Sequence, residues 1–89
     1  MAFYYVDHIV HDFDAWKKVY DQYDALRAAH GITDHQILQS VDNPNRVIVY
    51  GEGEVKMIHK FILSPEAQAA MREAGVAGPP TVFIGEDKS

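Results

Sequence analysis

Hydrophobic residues recur at spacings of three and four along residues 13–30, which predicts an amphipathic α-helix. The apolar positions are Phe13, Trp16, Val19, Tyr20, Tyr23 and Leu26. Asp12 precedes this run as the expected N-cap, and Gly31 follows it as the expected C-cap. The side chains expected in solvent are those of Lys17, Lys18, Asp21, Gln22, Asp24 and Arg27. Because so aromatic a helix face needs a cover, the pattern predicts that the helix packs on a sheet.

Residues 3–11 (FYYVDHIVH) are rich in aromatic and β-branched side chains and predict the first β-strand. Successive side chains of a strand point to opposite sides of the sheet. One face would carry Tyr4, Val6, His8 and Val10, and the other Phe3, Tyr5, Asp7, Ile9 and His11. Neither set is wholly polar, so we expect both faces of the sheet to be covered.

A β-hairpin is predicted in the middle of the chain. Residues 32–41 (ITDHQILQSV) and 46–50 (RVIVY) have the composition of strands, and Asp42-Asn43-Pro44-Asn45 between them is typical of a turn. Two strands joined by so short a turn are expected to pair antiparallel. The two glycines within residues 51–54 are expected to end the second strand.

The last third of the chain predicts helix, helix and strand. The apolar positions of residues 55–63 (VKMIHKFIL) fit helical spacing. Ser64-Pro65 marks a second helix start, with serine as the N-cap and proline in the first turn, and Gly75 is expected to end that helix. Residues 76–80 are interpreted as a stiff connection and residues 81–85 (TVFIG) as the final strand.

This order of elements is βαββαβ. It predicts an α+β, ferredoxin-like fold, in which a four-stranded antiparallel sheet carries its helices on one face. The 89 residues, 1–89, suffice for a single domain. A chain of this size buries only roughly 60–65% of its unfolded surface, yet 47% of its residues are apolar. This surplus of apolar residues predicts that a second copy of the chain covers the open face of the sheet in a homodimer.

Composition and charge narrow the range of partners. The net charge is −5 and the eight Lys and Arg residues are scattered, which argues against binding to nucleic acid or to an anionic membrane surface. The chain has no cysteine, so disulfides, thiolate nucleophiles and sulfur-ligated metals are excluded. No apolar stretch approaches the ~18 residues that span a bilayer, and no signal peptide is recognised at the N-terminus. We therefore expect a cytoplasmic protein.

Three segments carry a resemblance to a known superfamily. They are Asp12-Phe13-Asp14-Ala15-Trp16, the hairpin Pro44-Asn45-Arg46-Val47 leading to Val49-Tyr50-Gly51, and the part from Ser64-Pro65-Glu66 to Gly78-Pro79-Pro80. Together they resemble the small members of the dimeric α/β-barrel superfamily, similar to the antibiotic biosynthesis monooxygenase and polyketide cyclase-like proteins. The resemblance implies two ferredoxin-like subunits packed sheet to sheet as a homodimeric α/β barrel. It also implies a ligand cleft between the sheet and the helices of each subunit.

His8 is the candidate general base. If its strand face looks toward the helices, a neutral imidazole there would take a proton from an acidic phenol or a carbon acid. The alternative is a structural histidine bonded to a backbone carbonyl or a tyrosine. His35 and His59 are candidates for a second polar catalytic group. No pair of residues has the spacing of metal ligands, so no metal and no cofactor are expected, although a haem site stays an alternative.

Four aromatic residues are candidates for the wall of a substrate pocket, namely Trp16, Tyr20, Tyr23 and Tyr50. A pure core would favour Phe and Leu, because buried Trp and Tyr need a hydrogen-bond partner. An ordinary core is the alternative interpretation. The resemblance implies a Trp, Asn, Tyr and Arg set around a phenolic substrate, of which Trp16 and Tyr50 would supply parts. No Asn and Arg motif is matched, and Arg27 and Arg72 are interpreted as surface charges.

Three functional hypotheses follow. The first is a small cofactor-independent enzyme of the monooxygenase or cyclase/isomerase type that acts on an aromatic or polyketide-like small molecule in the cleft. The alternative is a non-catalytic dimeric protein of the same fold that binds a small molecule or haem. The third is a structural dimer whose aromatic core leaves no cavity. The fold alone does not decide among them.

Overall fold

The computed structural model describes residues 1–89 and forms one four-stranded antiparallel sheet with four helices. The strands are β1 (Ala2–Val10), β2 (Thr33–Gln39), β3 (Arg46–Gly53) and β4 (Val76–Glu86). The helices are α1 (Phe13–Gln22), α2 (Asp24–Ala29), α3 (Val55–Ile62) and α4 (Pro65–Glu73). The strand order is β2-β3-β1-β4, with every neighbouring pair antiparallel. The predicted α+β, ferredoxin-like fold is confirmed.

Helix caps explain where the helices begin. The Asp12 carboxylate accepts a hydrogen bond from the Ala15 amide at 2.9 Å, as the sequence predicts for an N-cap. Ser64 does the same for α4, accepting from the Ala67 amide at 3.1 Å. Gly31 has a φ of 69°, which suits a glycine that follows a helix.

The single helix predicted over residues 13–30 is divided in two. Tyr23 leaves helical geometry between α1 and α2, with a φ of −102° and a ψ of 16°. Its amide still bonds to the Tyr20 carbonyl at 3.2 Å, and its own carbonyl accepts from the Arg27 amide at 3.2 Å. Both backbone groups are therefore satisfied at the break, which explains how the chain tolerates it.

Two strands are longer than predicted. β3 continues through Gly51-Glu52-Gly53, where the two glycines predict the end of the strand. β4 begins at Val76, so the segment 76–80 is strand and not a connection. Pro79 and Pro80 fit because β4 is an edge strand and its pairing with β1 shifts register between Asp7 and Ile9.

The sheet has one covered face and one open face. Tyr4, His8 and Val10 of β1 point toward the helices and are buried, as are Val47 and Val49 of β3. All of these side chains except His8 belong to the hydrophobic core, together with Trp16, Ile58 and Ala74. The open face carries Tyr5, Ile9, Leu38 and Phe83, whose exposed fractions are 42%, 41%, 49% and 62%. The alternation predicted for β1 therefore places its side chains on the correct faces.

None of the four helices has both the length and the apolar character needed to cross a lipid bilayer.

Candidate functional site

A cleft lies between the covered face of the sheet and the helices, and it contains a cavity of about 100 Å³. The sheet contributes Tyr4, Val6, His8, Val49 and Val76. The helices contribute Trp16, Val19, Tyr20, Leu26, Arg27, Phe61, Ala67, Ala70 and Met71, and the residues at helix ends contribute Tyr23 and Ala74. The walls are therefore mainly apolar, with a few polar groups among them. This composition is typical of a site for a small organic molecule.

His8 lies in the middle of β1 and faces the cavity. It is only 7% exposed, and its Nδ1 is buried with no hydrogen-bond partner. In the pairing of β1 with β3, His8 lies opposite Val47. In the pairing of β1 with β4, the register shifts at His8, between Asp7 and Ile9. Burial lowers the pKa of His8, partly opposed by the backbone carbonyls of Val47 and Val6. The imidazole is therefore neutral near pH 7, and its buried Nδ1 lacks a partner within the protein.

An aromatic stack forms the helical wall beside His8. The imidazole meets the indole of Trp16 edge-on, with ring centroids 5.3 Å apart. Trp16 in turn stacks on Tyr20, with centroids 4.9 Å apart and planes inclined by 27°. Trp16 is 3% exposed, so the stack is fixed by the core.

The far end of this stack is polar. The Arg27 guanidinium lies 3.7 Å from the centroid of the Tyr20 ring, and its Nε donates to Asp34 Oδ2 at 2.5 Å. The Tyr4 hydroxyl donates to the other oxygen of Asp34. We call Tyr4, Tyr20, Arg27 and Asp34 the polar end of the cleft.

Arg27 is predicted to lie in solvent but is buried, so this prediction is wrong. It is 5% exposed and forms a buried ion pair with Asp34. The signal was present, because positions 16, 20, 23 and 27 follow one another at spacings of four, three and four. Arg27 thus lies on the aromatic side of the helical pattern, and its charge alone caused the wrong interpretation. The sequence does not predict the role of Asp34 either, because a polar residue within a strand pattern indicates only a weaker strand.

The other predicted site residues lie in different places. Tyr23 lines the cavity, but its hydroxyl donates to Glu73 at 3.0 Å near the surface. Tyr50 and His35 lie on the open face of the sheet, where Tyr50 stacks on Tyr5 with centroids 4.7 Å apart. Tyr50 is adjacent to the buried Val49, so strand alternation turns it away from the helices.

His35 and His59 do not join His8. His35 Nε2 lies 2.8 Å from Glu52 Oε1, at the surface of the sheet. His59 is exposed on α3, beside a shallow depression formed with β4. Nowhere do three or more His, Cys, Asp or Glu side chains converge in a way that could hold a metal ion. Of the three predicted catalytic histidines, the structure brings only His8 to the cleft.

Comparison with known proteins identifies the fold. No protein-family model matches the chain, and no curated protein matches its sequence. Among solved structures, SnoaB from Streptomyces nogalater, a cofactor-independent oxygenase, has a TM-score of 0.78 at 13% identity, over 99% of this chain and 93% of that one. A conserved protein from Methanosarcina mazei Go1 has a TM-score of 0.75 at 14% identity, over 99% of this chain and 94% of that one.

A third similar structure comes from Nitrosomonas europaea and is provisionally described as an antibiotic biosynthesis monooxygenase. It covers 100% of both chains with a TM-score of 0.73 at 18% identity. These likenesses confirm the resemblance in fold to the antibiotic biosynthesis monooxygenases that the sequence indicates. At such identities they show the fold, and activity has to be argued from the site.

Proposed function

We propose that the protein is a small enzyme of the monooxygenase or cyclase type that acts on a planar aromatic or polyketide-like molecule in the cleft, with His8 as the general base and no bound cofactor. The observation that carries this proposal is His8 itself, which lines a mainly apolar cavity and whose buried Nδ1 has no hydrogen-bond partner. A buried polar atom without a partner is costly, so its presence favours a role toward a ligand. The neutral imidazole is the form that accepts a proton.

The same site gives the substrate its orientation. Trp16, Tyr20 and Tyr23 line the cavity with aromatic side chains, which suits a flat fused-ring molecule. His8 would take a proton from a phenol or from a carbon next to a carbonyl, and the electron pair left behind would spread into the ring. The carbanion then either adds to a carbonyl carbon of the same molecule or reacts with dioxygen. In the first case a ring closes, the C=O π pair becomes an alkoxide, and the alkoxide takes the proton back from His8. In the second case a CH₂ group becomes a carbonyl and the other oxygen atom leaves as water.

The similar solved structures support the oxygenase branch of this proposal, since SnoaB is a cofactor-independent oxygenase. The open face of the sheet supports a homodimer that is closed through that face. The exposed Tyr5, Ile9, Leu38 and Phe83 supply the apolar surface for that contact. In such a dimer each subunit would keep its own cleft.

The test is turnover of an acidic phenolic probe, 1,8-dihydroxyanthrone, followed by oxygen uptake and by the absorbance of the product. The wild-type protein should accelerate oxygen uptake above the buffer rate, and His8→Gln should lower the accelerated rate by about 10²-fold or more, as expected for loss of a general base. The control is His11→Gln, which changes an exposed histidine outside the cleft. A probe that binds to the wild-type protein but is not turned over would favour the non-catalytic binding protein instead. Unchanged turnover in His8→Gln would remove His8 from the mechanism.

A further inference from the structure

The cavity in the cleft is smaller than the ligand proposed for it. Its volume is about 100 Å³. An apolar cavity of roughly 150 Å³ takes up one benzene ring, so a fused-ring molecule exceeds the space between the walls. Because a packed interior does not stretch evenly, a ligand of this size enters only where one part of the wall moves aside.

The residues around the cavity differ in how firmly they are held. Trp16 and Ala67 are each 3% exposed, and Arg27 belongs to a buried ion pair. Tyr23 is held less firmly, since it is half-buried. Its side chain borders the cavity, while its hydroxyl reaches Glu73 near the surface. Tyr23 therefore separates the cavity from solvent at this place.

The backbone at Tyr23 leaves room for a movement of its side chain. α1 ends before this residue and α2 begins after it, and its φ of −102° and ψ of 16° lie outside helical geometry. Its neighbours Gln22 and Asp24 are both exposed, so solvent lies beside it. Side-chain rotamers at a surface change within nanoseconds, whereas packed elements move together far more slowly. The Tyr23 ring can thus turn outward without the displacement of a helix.

One hydrogen bond holds Tyr23 against the opposite wall. Its hydroxyl donates to Glu73 Oε2 at 3.0 Å, and no other hydrogen bond or ion pair joins α1 or α2 to α3 or α4. This hydrogen bond raises the pKa of the Tyr23 hydroxyl, which therefore keeps its proton and stays a donor. Because water competes for both groups at the surface, loss of the bond shifts an equilibrium by only about two- to tenfold.

We propose that Tyr23 is a gate of the cleft, that its hydrogen bond to Glu73 is the latch that keeps the gate shut, and that the ring turns outward to admit a fused-ring ligand. A phenol ring has the size of one benzene molecule, so its departure gives the cleft room for one more ring. This inference rests on the proposed function only for the class of ligand that passes the gate. Tyr23 then decides which molecules enter, and His8 acts on those that do.

Labelling of an introduced thiol measures the opening of the gate without any substrate. The chain has no cysteine, so Ala67→Cys places a single thiol in the cavity wall. The reagent is N-phenylmaleimide, a molecule of two linked rings, and mass spectrometry follows its addition to the thiol. The labelling rate divided by that of free N-acetylcysteine gives the fraction of molecules in the open state. Since Ala67 is 3% exposed, this ratio should be about one tenth or less.

Two variants remove the latch from opposite sides. In the Ala67→Cys background, Tyr23→Phe keeps the ring and removes the donor, and Glu73→Ala removes the acceptor. Each should raise the labelling rate about two- to tenfold, the factor expected for one exposed hydrogen bond. The two together should raise it no further than either alone, because both remove the same bond. Glu66→Ala is the matched control, since it removes another exposed carboxylate of α4 and should leave the rate unchanged.

A second thiol position and a stability measurement separate opening of the gate from other events. Ala69→Cys places the thiol on the exposed side of α4, where labelling should be close to that of N-acetylcysteine with or without the latch. Urea denaturation gives the unfolded fraction of each variant. The open fraction of Ala67→Cys should exceed its unfolded fraction at least about tenfold, because a side-chain gate opens far more often than the whole domain unfolds.

Three results would overturn the inference. The first is a labelling rate of Ala67→Cys that stays unchanged in both Tyr23→Phe and Glu73→Ala. The second is an open fraction equal to the unfolded fraction, which would show that the cavity opens only by unfolding. The third is labelling of Ala67→Cys as fast as that of Ala69→Cys while the latch is intact. None of these results involves oxygen uptake or His8, so the gate and the proposed function can each fail while the other stands.

Discussion

The indole of Trp16 stacks on the phenol ring of Tyr20 with their centroids 4.9 Å apart, and it also meets the imidazole of His8 edge-on. Trp16 therefore serves both the core and the wall of the cleft. Since it is 3% exposed, Trp16→Ala should lower the free energy of unfolding by about 3–5 kcal/mol. Urea denaturation followed by circular dichroism measures this loss. Val41→Ala, at a residue that is 97% exposed, should change stability by less than about 0.5 kcal/mol.

The pH dependence of stability should report the buried His8. Burial lowers its pKa in the folded state below the unfolded value of about 6.5, so the unfolded chain takes up the proton first as the pH falls. The contribution of the neutral His8 imidazole to the free energy of unfolding is thus complete above about pH 6.5. Below that pH the free energy of unfolding decreases, by at most about 1.4 kcal/mol per pH unit for one proton. The difference in unfolding free energy between wild type and His8→Gln should shrink from pH 7 to pH 5. A constant difference over that range would show that His8 titrates normally.

The buried ion pair at the polar end of the cleft should be sensitive to loss of one partner. The side chains of Arg27 and Asp34 are 7% and 20% exposed. Asp34→Asn therefore leaves the buried guanidinium with only the exposed Asp24 carboxylate, 3.8 Å from Arg27 Nη2, as its counter-charge. The expected loss is about 3–5 kcal/mol in the free energy of unfolding, measured in urea. Replacing both partners, Arg27→Met with Asp34→Leu, should destabilise less than Asp34→Asn alone.

The matched control for this pair is on the surface. Lys17 and Asp21 form an i,i+4 pair at 2.7 Å, with side chains 39% and 58% exposed. Asp21→Asn should change stability by less than about 1 kcal/mol, because solvent screens exposed pairs. Equal losses from Asp21→Asn and Asp34→Asn would contradict a special role for the buried pair.

The sequence predicts the side of the sheet on which His8 lies, because strand alternation is a local property of residues 3–11. It also predicts both N-caps, since Asp12 and Ser64 act within three residues of themselves. Arg27 and Asp34 were missed for the opposite reason. They are 7 residues apart along the chain but meet through the packing of α2 against β2, which no local pattern records. A charged residue on the aromatic side of a helix was the one available signal.

The predicted extent of β4, residues 81–85, was too short for a similar reason. Pro79 and Pro80 lower the strand propensity of their own segment, and only the position of β4 at the sheet edge makes them acceptable. Tyr50 shows the limit of a prediction that comes from the resemblance. The resemblance implied a tyrosine near the substrate, yet alternation after the buried Val49 turns Tyr50 to the open face.

Gly51 should be needed for the close approach of Tyr4 to the polar end of the cleft. A Cβ at Gly51 would lie 2.7 Å from the Thr33 carbonyl oxygen and 2.7 Å from the Tyr4 hydroxyl. The Thr33 oxygen belongs to the neighbouring strand and cannot rotate away, so Gly51→Ala should cost about 1–3 kcal/mol of stability. Gly53→Ala is the milder comparison, with its nearest atom, the Gly31 oxygen, at 3.3 Å. Equal urea midpoints for the two variants would show that β2 shifts freely.

The open face of the sheet leads to a prediction about assembly. Phe83 is 62% exposed, and the centroid of its ring lies 6.5 Å from that of Tyr5. Because Tyr5 in turn stacks on Tyr50, these aromatic rings form a continuous apolar surface. Such a surface favours burial against a partner of the same shape, and we expect the wild-type protein to sediment as a dimer at micromolar concentration. Phe83→Glu places a charge in the contact and should shift the protein to monomers while its circular dichroism spectrum stays unchanged. Lys88→Glu adds negative charge in the exposed tail instead and should leave the dimer intact. A wild-type protein that is monomeric at these concentrations would refute the homodimer and leave the open face without its expected cover.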